Sequence, residues 1–272
     1  MTKQNGMIHI TEQLGLKVHT YTAPDDGWMV NTHLIELATQ VIAIDAQYTI
    51  PYAKEALAYA ATLGNPITRL YVTHYHPDHL LGAAAFDLPI HALPEVKAKI
   101  DAVGDRVASE EHEKFPDAIP LRAEKPSTIV SPGSERIAGV PFEFLHLEHA
   151  ETEHALMIGL PEQRILITQD LIYNGVHVFI SERAFDTWSA NLQRFKAEAY
   201  ERILPGHGEP SGAELYDRMR NYLSTARNLL SKASDGDDLK VRLIAAFPDF
   251  GGRALLDHQK RFLFPPRKEA NV

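Results

Sequence analysis

The chain has no cysteine, no long apolar run and no excess of basic residues, and each absence narrows its chemistry. Without thiols there is no disulfide framework, thiolate nucleophile, zinc ribbon or Cys-ligated iron–sulfur cluster. No apolar stretch approaches the roughly 18 residues expected of a membrane-spanning helix. The opening MTKQNGMIHITEQ has no basic segment leading into an apolar one, so no signal peptide is expected and a cytoplasmic location is. Acidic residues outnumber basic ones 36 to 27, a net charge of −9 that disfavours a general polyanion binder. Neither nucleic acid nor membrane is therefore an expected partner. A hydrophobic content of 44% is enough for a real core, and the composition is neither disordered nor collagen-like. Histidine is the residue present in quantity, 14 in 272, and its placement becomes the question.

The first half reads as strands separated by turns. Residues 17–22 alternate in polarity, 29–37 and 41–44 are rich in β-branched and apolar side chains, and Pro24-Asp25-Asp26-Gly27 is turn chemistry. Residues 51–63 read as a helix, with Pro51 suited to its first turn, an Ala/Leu stripe at helical spacing and Gly64 as its stop. A short strand at 70–73, a helix at 77–86, a strand at 89–92 and a helix at 94–103 follow. The charged, proline-containing residues 105–126 are expected to be a surface excursion. Strands are expected at 142–147, 155–160 and 164–168, the last two joined by a short hairpin connection. A helix at 186–200, a strand at 202–204 and a helix at 211–231 come next, the last marked by Ser211 and Glu214 as a capping box. Residues 239–264 read as helical, interrupted at Pro248 and Gly251-Gly252. Strands in runs with helices between and after them predict an α/β chain of two helix-covered sheets. The organisation expected is a single domain over 1–272 with a helical C-terminal extension from about 211.

Directly after the strand at 70–73 stands Thr73-His74-Tyr75-His76-Pro77-Asp78-His79, three histidines and a carboxylate within six residues. Two histidines one residue apart cannot both face inward on a helix, but they converge from a loop at a strand end. Asp78 and His79, at the start of the next helix, reach the same point from another side. Imidazole nitrogen with carboxylate oxygen is a ligand set for first-row divalent metals.

His74-x-His76-x-Asp78-His79 resembles the signature of the metallo-β-lactamase-fold superfamily, whose fold is an αββα sandwich with a metal site at the edge of the sheets. Further matching parts follow in order: His149 after the strand at 142–147, Asp170 in Thr168-Gln169-Asp170 where the family usually reads Gly-Asp, and the Gly206-His207-Gly208 turn. The resemblance covers roughly residues 17–210. It implies two divalent cations, zinc before iron or manganese. His74, His76 and His149 would hold one, Asp78, His79 and His207 the other, and Asp170 would bridge. His146 and His154 are the alternatives to His149, and Glu151 and Glu153 are expected to be solvated loop carboxylates with a contact to the pocket left open. Two cations about 3.5–4 Å apart can share and deprotonate a water that attacks a polarised carbonyl, with Asp78 steering the nucleophile.

Within that superfamily the zero cysteines exclude the lactamases that use a Cys ligand, and a bridging Asp170 departs from the lactamases that keep HxHxDH. Tyr173, three residues after Asp170, resembles the tyrosine of the metal-dependent N-acyl-homoserine lactonases, placed to hydrogen-bond a substrate carbonyl or leaving oxygen. The expected activity is therefore hydrolysis of a lactone or related acyl ester. A glyoxalase II-like thioesterase and a β-lactamase-like amide hydrolase are the alternatives, and a non-catalytic metal- or ligand-binding member is the reading from a different class. The expected partner is a small-molecule substrate, with a homodimer left open. Asn174 and His177 are pocket candidates, His177 with a structural role preferred. Arg253, Lys260, Arg261, Arg267 and Lys268 are expected to form a solvated face. For Trp28, for Phe247, Phe250, Phe262 and Phe264, core packing is the expected role, with overhang of the pocket or a dimer contact as the other.

Overall fold

The computed structural model describes residues 5–265. Four strands open the chain: β1 (Met7–Gln13), β2 (Leu16–Thr22), β3 (Asn31–Glu36) and β4 (Val41–Ile44), paired antiparallel in sequence order. Then β5 (Ile67–Tyr71), β6 (Ile90–Ala92) and β7 (Thr128–Ile129) add in parallel, completing a seven-stranded mixed sheet. Parallel addition requires crossovers, and these are α1 (Ile50–Ala61), the short α2 (Pro77–Leu80) and α3 (Pro94–His112). The second sheet has five strands in the order β12-β11-β10-β9-β8. They are β8 (Gly133–Ile137), β9 (Val140–Glu148), β10 (His154–Leu160), β11 (Ile165–Asn174) and β12 (Arg202–Gly208), all antiparallel except the parallel pair β11–β12. Helices α4 (Phe185–Ala197), α5 (Glu214–Leu230), α6 (Gly236–Ala246) and α7 (Arg253–Leu263) complete the seven helices that flank the two mixed sheets among the described residues. This is the expected α/β sandwich.

One apolar cluster joins the sheets. Leu34, Ile42, Ile44 and Leu70 from the first and Leu156, Ile158 and Ile167 from the second are fully buried. Tyr71 meets Phe144 across the interface, ring centroids 5.3 Å apart. Thr49 caps α1 through its side chain, which accepts from the Tyr52 amide at 3.4 Å. On the second sheet, Trp188 of α4 donates its indole N–H to the Leu171 carbonyl of β11 at 2.9 Å.

Several boundaries differ from the sequence reading. Helix α3 does not stop near 103 but runs to His112. Beyond residue 103 its buried face is Gly104, Ala108 and Glu111, too small and polar to read as an apolar stripe, with the Arg106–Glu110 i,i+4 pair on the exposed side. Strands β1 and β8 sit at sheet edges, β1 with every side chain exposed or half-buried and β8 with four of five exposed, so neither shows a buried apolar face. Strand β11 runs well past residue 168 and carries Asp170 and Tyr173. The expected capping box is not built: Ser211 donates to the Glu214 carboxylate, but α5 starts at Glu214 with no side-chain cap. No helix among the described residues is long and apolar enough to cross a membrane. Arg267 and Lys268 lie outside the described residues.

Helix α7 turns back onto the early hairpin. Gly252 N donates to Asp25 Oδ1 at 2.6 Å, and the residue 175–177 loop exchanges backbone bonds with Gly251. This anchoring brings α7 to the mouth of the cleft described next.

Candidate metal centre

Six segments converge where the two sheets meet. The loop after β5 supplies His74, the N-cap of α2 supplies His76, and the α2 turn supplies Asp78 and His79. The β9–β10 loop supplies Glu151, β11 supplies Asp170 and β12 supplies His207. The loops are tied across the sheets: Leu156 N donates to Thr73 O at 2.9 Å, and Gly208 N to Met29 O at 3.0 Å. Each of the seven side chains is at least nine-tenths buried.

Two groups result. In the first, ligand atoms of His74, His76, Glu151 and Asp170 all lie within 4.8 Å of one another; in the second, those of Asp78, His79 and His207 do. Asp170 stands between them, Oδ2 3.8 Å from His74 Nε2 and Oδ1 3.2 Å from His79 Nε2. Its Oδ2 is also 3.4 Å from His207 Nε2, and Asp78 Oδ2 is 3.2 Å from the same nitrogen.

His149 does not join either group. It is exposed, in the left-handed region at φ 52°, with its amide on Glu153 O at 3.0 Å and its carbonyl accepting from Thr187 Oγ1 at 2.7 Å. That tight turn points residue 149 outward and folds residues 150–152 inward. Glu151, 2% exposed, therefore occupies the position expected for His149, with Oε1 2.9 Å from His76 Nδ1 and Oε2 3.7 Å from His74 Nε2. The expectation that Glu151 is a solvated carboxylate is corrected with it. His146 and His154 also lie outside both groups, together on the strands that flank the loop.

The ring nitrogens facing away from the centre are held in place. Asp45, absent from the sequence-based candidates, is fully buried. Its Oδ1 accepts from Thr73 N at 2.8 Å, while Oδ2 accepts from Thr73 Oγ1 and His79 Nδ1, each at 2.7 Å, and from the Gln169 amide. His207 Nδ1 is 2.8 Å from the Trp28 carbonyl and His74 Nδ1 3.1 Å from Thr73 Oγ1. A donating Nδ1 leaves Nε2 free to act as a ligand. The glycines of the late turn are steric requirements. A Cβ on Gly206 would lie 1.8 Å from Asp170 Oδ1, and Gly208 combines φ 79° with a Cβ position 1.9 Å from Asn174 O.

The electrostatics are those of a preorganised cation site. Burial opposes ionisation of Asp78 and Asp170, but His79 and His207 beside them outweigh it and hold both carboxyls well below the usual range. Burial pushes Glu151 up to about 7 against the pull of His76. Burial likewise works against charge on His79 and His207, yet the carboxylates raise both, His207 to about 9. His74 is pushed well below its ordinary value by burial and by His79. His74 Nε2, His79 Nε2, His207 Nε2, Glu151 Oε2 and Asp170 Oδ1 make no well-formed hydrogen bond. Buried polar atoms are normally paired, and these orphans are nitrogen and oxygen ligands aimed at common points. The donor set fits two divalent cations, one among His74, His76, Glu151 and Asp170 and one among Asp78, His79, His207 and Asp170, which would displace the protons now held there.

Above the centre opens a cleft, its floor formed by His76, Asp78, Glu151 and Asp170. Trp28, Val107, Phe179, Leu255 and Phe262 give it apolar walls, and Arg106 and Arg261 stand at the lining beside Glu110 and Glu111. Trp28, 7% exposed, thus both packs, stacking on Tyr48 at 4.4 Å, and faces the cleft. Tyr173 lines it too, its ring parallel to His207 at 4.4 Å and its hydroxyl donating to Asp170 Oδ2 at 2.6 Å. His177 is a structural residue, its Nδ1 3.1 Å from the Tyr222 hydroxyl, and Asn174 donates to Glu209 O at 2.7 Å. Phe247 and Phe250 pack on Tyr222. Lys260 pairs with Asp237 and Asp257, and Arg253 donates to Pro248 O at 2.9 Å, whereas Arg261 reaches the cleft.

Residues 25–207 match the model of the metallo-beta-lactamase superfamily. A linear primary-alkylsulfatase from Pseudomonas sp. (strain ATCC 19151) is 27% identical over 243 residues, covering 74% of this chain but 45% of that protein. The chain thus spans less than half the length of that relative. Among solved structures, a metallo-beta-lactamase from Pontibacter korlensis superposes with a TM-score of 0.62 at 18% identity, covering 80% of this chain and 99% of that one. The metallo-beta-lactamase FIM-1 from Pseudomonas aeruginosa, in its mono-zinc form, gives 0.59 at 21% identity, over 83% and 98%.

Proposed function

The chain belongs to the metallo-β-lactamase superfamily, and from that premise we propose that it is a dinuclear metal-dependent hydrolase of small esters carrying an apolar chain, a lactone or acyl ester being the first substrate class. The observation that carries this reading is a cleft with apolar walls on one side whose floor is His76, Asp78, Glu151 and Asp170 of the ligand groups. Trp28, Val107, Phe179, Leu255 and Phe262 would hold the apolar part of the substrate and exclude water around it. The ester would then lie over Asp78 and Asp170. Divalent cations in the two groups would supply Lewis acidity and activate water for attack. Asp170, in contact with both groups, would set their spacing, and Asp78, which lines the cleft, would steer the attacking water. The Tyr173 hydroxyl, shared with Asp170, stands at the floor where a leaving oxygen would need a donor.

A second reading, hydrolysis of a primary alkyl sulfate, is favoured by the relative named linear primary-alkylsulfatase. An apolar tail fits the same walls, and Arg106 or Arg261 would meet the sulfate charge. The test is turnover by the zinc-loaded chain of a panel: a medium-chain lactone, a p-nitrophenyl acyl ester, a thioester, a β-lactam and a primary alkyl sulfate. Turnover of lactone or acyl ester above the others supports the first reading, and preference for the alkyl sulfate replaces it with the second. No turnover of any member refutes both.

A further inference from the structure

We propose that the β9–β10 hairpin carries a separate, solvent-facing site for a divalent transition-metal ion, formed by His146, His154 and Glu148. The geometry is set by strand pairing. His154 lies opposite Glu148 and Leu156 opposite His146, so with two-residue periodicity all three side chains leave the same face of the pair. His146 Nε2 and His154 Nδ1 are 3.0 Å apart, and a Glu148 oxygen lies within 4.8 Å of both. Two nitrogens at about 2.0–2.1 Å from one tetrahedral zinc stand roughly 3.3 Å apart, so the imidazoles are close to a chelating separation already. Glu153 Oε1 adds negative charge 3.9 Å from the other nitrogen of His154. None of these residues belongs to the buried groups, and His146 and His154 are half-buried while Glu148 is exposed. Two imidazoles and a carboxylate with room for water are a ligand set for zinc, nickel or copper. The site stands at the base of the residue 149–153 loop that carries Glu151 inward, so a bound ion would join the two strands from which that loop springs.

The competing account of the contact is a simple hydrogen bond between the two imidazoles. Calorimetric titration with zinc of the full chain, already loaded at the buried groups and freed of loose metal, separates the two. The wild type is expected to take up one further zinc, and His146→Ala and His154→Ala to lose that uptake while keeping their buried metal. Glu151→Ala is expected to show the converse: buried metal weakened, hairpin uptake retained. Failure here is therefore read from different variants than failure of the hydrolase reading. Copper(II) added to the same proteins should give nitrogen hyperfine structure in the wild type and lose it in His154→Ala. No extra uptake in the wild type, or equal uptake in the wild type and both histidine variants, overturns the proposal.

Discussion

Replacing Asp45 by asparagine tests the logic of the centre without touching a ligand. In the wild type Oδ2 accepts from Thr73 Oγ1, His79 Nδ1 and the Gln169 amide, and Oδ1 accepts from Thr73 N. Alanine would strand every one of these buried donors, at about 1–3 kcal/mol each, a sum comparable to the whole stability of a typical domain. Asparagine is the cleaner probe. Its carbonyl still accepts from Thr73 N, and the Thr73 hydroxyl rotates to accept, but the new amide N–H groups face the Gln169 amide and His79 Nδ1–H. Two lost acceptors amount to about 2–6 kcal/mol. The imidazole, which the surrounding carboxylates favour in its protonated form, escapes part of that cost by releasing its Nδ1 proton and keeping the one on Nε2, the nitrogen that faces Asp78 at 3.4 Å and Asp170 at 3.2 Å. A protonated Nε2 cannot ligate, so zinc affinity should fall by about 10–100-fold or more. Urea denaturation of the metal-free protein gives the stability change, competition with a chelator gives the affinity, and nitrogen NMR reports which His79 nitrogen holds the proton. An Asp45→Asn protein with wild-type zinc affinity and an unchanged His79 tautomer would refute the reasoning.

Other substitutions address separate parts of the account. Gly206→Ala places a Cβ 1.8 Å from Asp170 Oδ1; overpacking of about 1–3 kcal/mol and loss of bound metal are expected, and a variant with wild-type melting and metal content would contradict that. Tyr173→Phe removes the hydroxyl that donates to Asp170; slower turnover by about 1–2 kcal/mol in kcat/KM is expected with metal content intact, and unchanged kinetics would leave the ring with packing alone. His33 is fully buried between Thr20 Oγ1 and the Pro205 carbonyl, and burial lowers its pKa to about 4 against an ordinary 6.5. The unfolded chain thus binds the proton more tightly, so this contribution is complete above pH 6.5 and is lost as pH falls toward 4, at most about 3 kcal/mol. The dependence of unfolding free energy on pH across that window should flatten by up to about one proton in His33→Gln, and an unchanged slope would assign the acid sensitivity to other groups.

The sequence and its family resemblance located six of the seven side chains that converge, Asp170 among them, and missed Glu151 and the supporting Asp45 for identifiable reasons. His74, His76, Asp78 and His79 are neighbours in sequence because one strand end and one helix start place them, and Gly206-His207-Gly208 is legible because two close backbone approaches demand glycine. Asp45 and Glu151 have no such signature. Asp45 reaches Thr73, His79 and Gln169 only after β4, β5 and β11 have assembled, and its single sequence cue is a carboxylate ending an apolar strand. Glu151 replaces His149 because a left-handed residue 149 reverses which side chains of the loop face inward, and neighbouring acidic and histidine residues gave no way to foresee that turn. The fold was read by the same measure. Buried strands and the Ala-rich helix α1 stand out in the sequence, whereas β1 and β8 lie at sheet edges without a buried face and α3 beyond residue 103 buries only Gly104, Ala108 and Glu111.

The central claim is that Glu151, with His74, His76 and Asp170, completes a metal-binding group from which His149 is excluded. Metal content after exhaustive dialysis of zinc-loaded wild type, Glu151→Ala and His149→Ala tests it most directly. His149→Ala is expected to keep the wild-type zinc content, and Glu151→Ala to lose the ion of the His74, His76, Glu151 and Asp170 group. Retention in Glu151→Ala with loss in His149→Ala would contradict it.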